Sequence, residues 1–95
     1  MKAKIFAVAK ETKQREISGR MVTEREIFLG FEREGYEGFA PRVRSGVSQK
    51  TGKAFGIASE AVDVTASGNY IPKAGDIVNV DCNMYGRIIG ISKLG

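Results

Sequence analysis

Histidine and tryptophan are absent from this 95-residue chain, cysteine occurs once and proline twice. Each scarcity removes a class of chemistry. Without histidine the commonest general base is gone, together with any Ser-His or Cys-His nucleophile pair. Cys82 alone cannot form an internal disulfide and has no histidine with which to build a zinc set; it reads as a small buried side chain. No metal and no cofactor is expected. The apolar run Ile5-Phe6-Ala7-Val8-Ala9 is far too short to span a bilayer, and it lacks a small-residue cleavage site before the charged Lys10-Glu11. The expectation is a cytoplasmic protein with no membrane partner.

The most telling absence is one of sign. From Gly38 to Ser59 there is no acidic residue, yet this window holds Arg42, Arg44, Lys50 and Lys53. Those four residues equal the formal net charge of +4, because Lys and Arg balance Asp and Glu over the rest of the chain. Within the window the cations alternate with glycine, small hydroxyls and an aromatic, from Arg44-Ser45-Gly46 through Lys50-Thr51-Gly52-Lys53 to Phe55. That is the composition of a flexible loop with an electrostatic purpose, and a polyanion is its natural partner.

The length gives one domain, residues 1–95, with a single core. Its elements are strands. Ile27, Leu29 and Phe31 recur at period two against Glu26 and Phe28, and Ile17-Ser18-Gly19-Arg20 is turn chemistry, so residues 3–33 predict a long hairpin. Its mixed charges, Glu11, Lys13, Arg15, Glu16, Glu24, Arg25 and Glu26, read as a solvated face with cross-strand pairs. Gly35 to Gly38 is a second turn, Phe39 to Val43 a short strand, and Arg44 to Gly52 the basic loop. Residues 55–64 fit a short helix or a strand, with strand favoured by the alternation of Val62 and Val64 against Ala61, Asp63 and Thr65. Pro72-Lys73-Ala74-Gly75-Asp76 turns into a strand over Ile77 to Cys82, and Tyr85-Gly86 separates it from a last strand, Arg87 to Ile91. Five or so strands joined by hairpins predict an all-β protein: a small five-stranded antiparallel OB-type barrel with protruding hairpin loops, with an SH3-like barrel as the competing architecture.

Enzymatic readings weaken on inspection. Asp63, Asp76 and Asp81 are carboxylates of turns and strand faces. The run Gly46-Val47-Ser48-Gln49-Lys50-Thr51-Gly52-Lys53 resembles a phosphate-cradling loop until it is counted: five residues separate the glycines where a P-loop needs four, and Ala54 stands where the magnesium-binding Ser or Thr belongs. The expectation is no enzyme and no catalytic residue.

Binding gains what catalysis loses. Arg42, Arg44, Lys50 and Lys53, with Arg87 beside the Tyr85-Gly86 turn, are the candidate phosphate contacts, since each cation that meets a phosphate releases condensed counterions. Four contacts to a single strand predict a slope of log K against log salt of roughly −3, from about 0.7 per contact. Unpaired bases stack on aromatic rings, and Phe55 at the mouth of the basic loop and Tyr85 at a turn tip are the stacking candidates. Tyr36 and Tyr70 read as packing residues.

The run Arg44-Ser45-Gly46-Val47-Ser48, followed by Gly52-Lys53 and Phe55, resembles the DNA-binding loop of the single-stranded-DNA-binding proteins of filamentous bacteriophages. Tyr85-Gly86, at a hairpin tip between two apolar strands, is similar to that family's protruding loop. In the family the basic loop follows the first strand, whereas here the long hairpin precedes it. The resemblance implies an OB-type barrel, a two-fold homodimer with cooperative contacts between dimers, and coating of phage single strands during replication in the host cytoplasm. By position in the motif it makes Arg44 and Lys53 phosphate contacts, sets Lys50 near the place of another of the family's cations, and gives Phe55 the place of a stacking tyrosine and Tyr85 that of the loop-tip aromatic. The first expectation is therefore a sequence-independent single-stranded-DNA binder. Its rivals are an RNA-binding translational repressor and an SH3-like protein-interaction barrel whose basic loop docks on an acidic surface.

Overall fold

A computed structural model describes residues 1–95. Strands β1 (Lys2–Ile17) and β2 (Arg20–Glu32) form the long antiparallel hairpin that the alternation predicts. They join through Ser18-Gly19, both at positive φ (51° and 78°), a turn whose twist matches that of the flanking strands. Between the pairs Val8–Ile27 and Thr12–Arg25, β1 carries Ala9, Lys10 and Glu11 opposite Glu26 alone. The carbonyls this bulge releases are not left unpaired: Arg25 Nη1 donates to Ala9 and Lys10 at 2.8 and 2.9 Å. The bulge divides the hairpin into a sheet-bound half and a distal half that runs on to the Ser18-Gly19 tip.

Strand β3 (Phe39–Pro41) pairs with the end of β2, and β6 (Ser59–Asp63) pairs with its middle. On the other side of β1, β7 (Ile77–Cys82) adds at Lys2–Lys4, and β8 (Ile88–Lys93) adds to β7. Of residues 55–64, 55–63 are extended, as favoured, apart from a break at Ala58, and Val64 opens a 3-10 turn that runs to Ser67. The protein is thus all-β, with an antiparallel sheet in the order β3-β2-β1-β7-β8 and β6 beside β2. Strand β8 packs against β6 and the 3-10 turn, but no ladder joins β8 to β6, so the sheet is not closed into a barrel. Strand β6 ends after five residues, where Asp63 Oδ1 accepts from Thr65 N at 2.8 Å and from Thr65 Oγ1 at 2.7 Å and starts the 3-10 turn. No helix is long and apolar enough to cross a membrane.

The core lies on one face of the sheet. Ile27, Leu29 and Phe31 of β2 meet Ala3 and Ile5 of β1, Val62 of β6, Val78 and Val80 of β7, and Ile88 and Ile91 of β8. Each large member contributes about 1.5–3 kcal/mol by leaving water. Phe28 faces outward, as the period of two requires. Cys82 is half-buried against this cluster as a free thiol.

One charged residue of the hairpin departs from the expected solvated face. Glu24 is buried, because two arginines cover it: Arg15 Nε lies 3.1 Å from its Oε1 and Arg87 Nη2 lies 2.5 Å from its Oε2.

Candidate nucleic-acid interface

The acid-free window is not a flexible loop. Residues Arg44–Val47 (β4) and Ala54–Ile57 (β5) pair as a two-stranded ribbon separate from the main sheet, in the register Arg44–Ile57, Ser45–Gly56, Gly46–Phe55 and Val47–Ala54. Its tip is held by its own small residues. Ser48 N donates to Lys53 O at 2.9 Å and Gly52 N to Ser48 O at 2.8 Å. Ser48 Oγ accepts from the N–H groups of Lys50 and Thr51, and Thr51 Oγ1 from that of Lys53. Gly52 takes φ = 69°, a conformation that side chains resist. Short hydroxyl residues that suggest mobility in the sequence act here as local turn locks.

Opposite residues in a ladder share a face. One face of the ribbon therefore carries Arg44, Gly46, Phe55 and Ile57, and the Ser48–Lys53 hydrogen bond brings Lys53 to the same face. The Phe55 ring leans across Gly46, where a Cβ would sit 3.2 Å from its Cζ. The ring is held by its own ribbon, not by the core, and remains 45% exposed. Lys50 stands at the tip, and neither Lys50 nor Lys53 takes part in an ion pair. Both ammonium groups are open to an external anion.

The arginines are placed differently. Arg42, expected among the phosphate contacts, donates from Nε and Nη2 to Glu60 Oε1 at 3.0 and 2.7 Å, and its guanidinium lies 5.2 Å from the centre of the Phe31 ring. Burial works against its charge, but the hydrogen bonds and the charge of Glu60 outweigh that and hold its pKa above the ordinary arginine value. Arg87, expected in the same role, is bound to Glu24. Both side chains are only 33% exposed, and each neutralises a buried carboxylate. The structure therefore makes Arg42 and Arg87 internal partners instead of free contacts. Arg44 keeps both roles: its Nη2 approaches Glu60 Oε2 at 3.6 Å, while 58% of its side chain stays exposed.

Sequence reasoning missed Glu60 and Glu24. The signal for Glu60 was present: it ends the acid-free window and shares the alternation of Val62, which places it on the buried side of β6. No signal marked Glu24, whose cover comes from Arg15 nine residues earlier and from Arg87 at the far end of the chain.

Tyr85 stands in a tight turn before β8. Asn83 Oδ1 accepts from the N–H groups of Tyr85 and Arg87, each at 3.0 Å, and Gly86 N donates to Asn83 O at 3.0 Å. Met84 and Tyr85 project from it, 87% and 86% exposed. The turn is fastened beside the ribbon, since Arg42 Nη2 also donates to Gly86 O at 3.2 Å. Of the other tyrosines, Tyr70 packs against the core as expected, whereas Tyr36 is 63% exposed. Tyr36 lies beneath the Arg33 guanidinium at 5.2 Å, and Tyr70 OH donates to Asp76 Oδ2 at 2.6 Å. Desolvation, reinforced by Asp76, pushes the Tyr70 phenol up to about 12.

The result is a surface with two unpaired ammonium groups and an exposed guanidinium on a two-stranded ribbon, one aromatic ring among them, and a second ring at a turn tied to the ribbon's base. Comparison with protein-family models, curated proteins and solved structures finds no match for this chain.

Proposed function

We propose that this protein is a non-enzymatic, largely sequence-independent single-stranded-DNA-binding protein. Arg44, Lys50 and Lys53 hold phosphates, and Phe55 and Tyr85 stack bases. The observation that carries this reading is the shared face of the β4–β5 ribbon, on which Arg44, Phe55 and Lys53 lie together with Tyr85 fastened close by. Cations in line with rings are what an unpaired strand requires, because it offers a charged backbone and bare π faces at once. Arg42 and Arg87 leave the set of direct contacts, so the ribbon's share of the salt slope comes from Arg44, Lys50 and Lys53 and is about −2.

The finer architecture belongs to the same proposal. The pairing β6-β2-β1-β7-β8, with β8 lying beside β6, supports reading the sheet as an OB-type architecture whose seam between β6 and β8 is open. A homodimer with cooperative contacts between dimers, coating phage single strands during replication in a host cytoplasm, is the biological setting that the basic-loop resemblance adds.

Tyrosine fluorescence tests the reading, since no tryptophan obscures it. Poly(dT) and poly(rU) are titrated at several salt concentrations beside duplex DNA. Quenching by single strands, with a fixed number of nucleotides per protomer and little response to duplex, is expected. Indifference to poly(dT) in dilute buffer overturns the proposal, and a response confined to one folded RNA replaces it with the translational-repressor reading.

A further inference from the structure

We propose that the distal half of the β1–β2 hairpin is a second phosphate-binding arm, with Lys13, Arg15 and Arg20 contacting the same single strand that the ribbon holds. This rests on the function proposed above and extends it to a part of the chain that the basic-loop motif does not reach.

The ladder register sorts the charges of the hairpin. Lys13 pairs with Glu24, Arg15 with Val22 and Ile17 with Arg20, so Lys13, Arg15 and Arg20 share one face, while Glu16, paired with Met21, lies on the other. All three cations are exposed, and the carboxylate opposite Lys13 is the buried Glu24. A hairpin whose sequence mixes both signs therefore shows solvent a basic face.

The environment of Glu24 repeats that of Glu60. Each is a buried carboxylate shared by two guanidiniums, one of them a third exposed (Arg42 on Glu60, Arg87 on Glu24) and the other more than half exposed (Arg44 on Glu60, Arg15 on Glu24). The Glu60 cluster keeps one net positive charge, at Glu24 the neighbouring Asp63 carboxylate offsets that excess, and each cluster steadies an exposed arginine by one nitrogen only. Arg15 uses Nε on Glu24 Oε1, which leaves both of its terminal nitrogens for an external oxygen.

Position joins the two clusters. The Tyr85 turn is tied to both arms: Gly86 O accepts from Arg42 at the base of the ribbon, and the next residue, Arg87, reaches Glu24 on the hairpin. The register puts Glu60 and Glu24 on opposite faces of the β2–β6 pair, so on the proposed path a strand leaving Phe55 passes the Tyr85 turn and rounds the open edge of β6 to reach Arg15. The other carboxylates near this face limit the path. Asp63, on β6 directly opposite Glu24, is held ionised by its hydrogen bonds from Thr65, and its charge faces Arg87 and Arg20. Glu11 and Glu26 lie at the bulge, and they direct a polyanion away from the sheet, toward Arg20 and the tip.

Binding of poly(dT) and of a short oligo(dT) by the full chain, measured over a range of salt, tests this. In Arg15→Ala/Arg20→Ala the salt slope is expected to fall in magnitude by about 1.4, from about 0.7 per lost contact, and each protomer to cover fewer nucleotides. Arg15→Lys/Arg20→Lys keeps the slope. Lys13→Gln/Arg20→Gln, which touches no ion pair, gives the same fall should the first variant be impaired in folding. An unchanged slope and coverage in the folded variants, while Lys50→Ala/Lys53→Ala loses binding, overturns the second arm and leaves the proposed function standing. A wild-type chain that ignores oligo(dT) overturns both.

Discussion

Arg42 and Gly86, 44 positions apart in the chain, are joined by a 3.2 Å hydrogen bond from Nη2 to the backbone carbonyl, made by a guanidinium that also clamps the buried Glu60. This contact sets the Tyr85 turn against the base of the basic ribbon, so a residue expected to touch DNA instead positions those proposed to do so. Removing it exposes the cost of an unpartnered carboxylate. Arg42→Ala leaves Glu60 with only the 3.6 Å approach of Arg44, and a loss toward the lower end of about 3–5 kcal/mol is expected. At about 4–8 °C per kcal/mol for a domain of this size, thermal unfolding monitored by circular dichroism should shift down by more than about 10 °C.

Lys50→Ala/Lys53→Ala should behave in the opposite way. Neither ammonium has an ion-pair partner, so stability should stay within about 0.5 kcal/mol of the wild type. The slope of log K against log salt for oligo(dT) should become shallower by about 1.4. A large drop in melting temperature with an unaltered slope would contradict the assignment.

The two exposed rings should separate binding from folding. Phe55 rests on Gly46 and Tyr85 on nothing but its own turn, so Phe55→Ala and Tyr85→Ala should each weaken oligo(dT) binding by about 1–3 kcal/mol with little thermal effect. If Tyr85→Ala keeps its affinity for a short oligonucleotide and loses only cooperativity on poly(dT), the ring serves a neighbouring protomer. Gly46→Val, which forces the Phe55 ring off its seat, should mimic part of the Phe55→Ala loss.

Tyr70 gives a pH signature. Its phenol is raised from 10.0 to about 12 in the folded chain, so the folded state holds the proton more tightly than the unfolded one. The associated stability is complete below pH 10 and is lost as pH rises through about 12. Subtracting the tyrosinate absorbance of Tyr70→Phe from that of the wild type should leave a single step centred near 12, and the variant should show a flatter decline of stability over that window. A step at the ordinary tyrosine value would mean that in solution the phenol is neither buried nor held by Asp76.

Much of the fold was legible because strands announce themselves by alternation. Ile27, Leu29 and Phe31 on one side of β2, with Phe28 on the other, required only a period of two, and Ser18-Gly19 marked the turn. Sheet closure was not legible: whether β8 bonds to β6 depends on where β6 ends, and that is set by a side chain, Asp63, turning to its own backbone neighbour. The site was legible in the same partial way. Charge and composition singled out Lys50, Lys53, Arg44 and Phe55, which the fold leaves exposed. They did not separate them from Arg42 and Arg87, because an arginine bound to a buried carboxylate looks like a free one in sequence.

The sequence by itself determined the elements and the electrostatics: strand periodicity follows from local geometry, and an acid-free window is basic however the chain folds. Which cations remain free was decided only by tertiary structure. Glu24 and Glu60 select Arg87 and Arg42 from strands and turns far along the chain, since a carboxylate leaving water needs a fixed partner and only folding brings one within hydrogen-bonding distance.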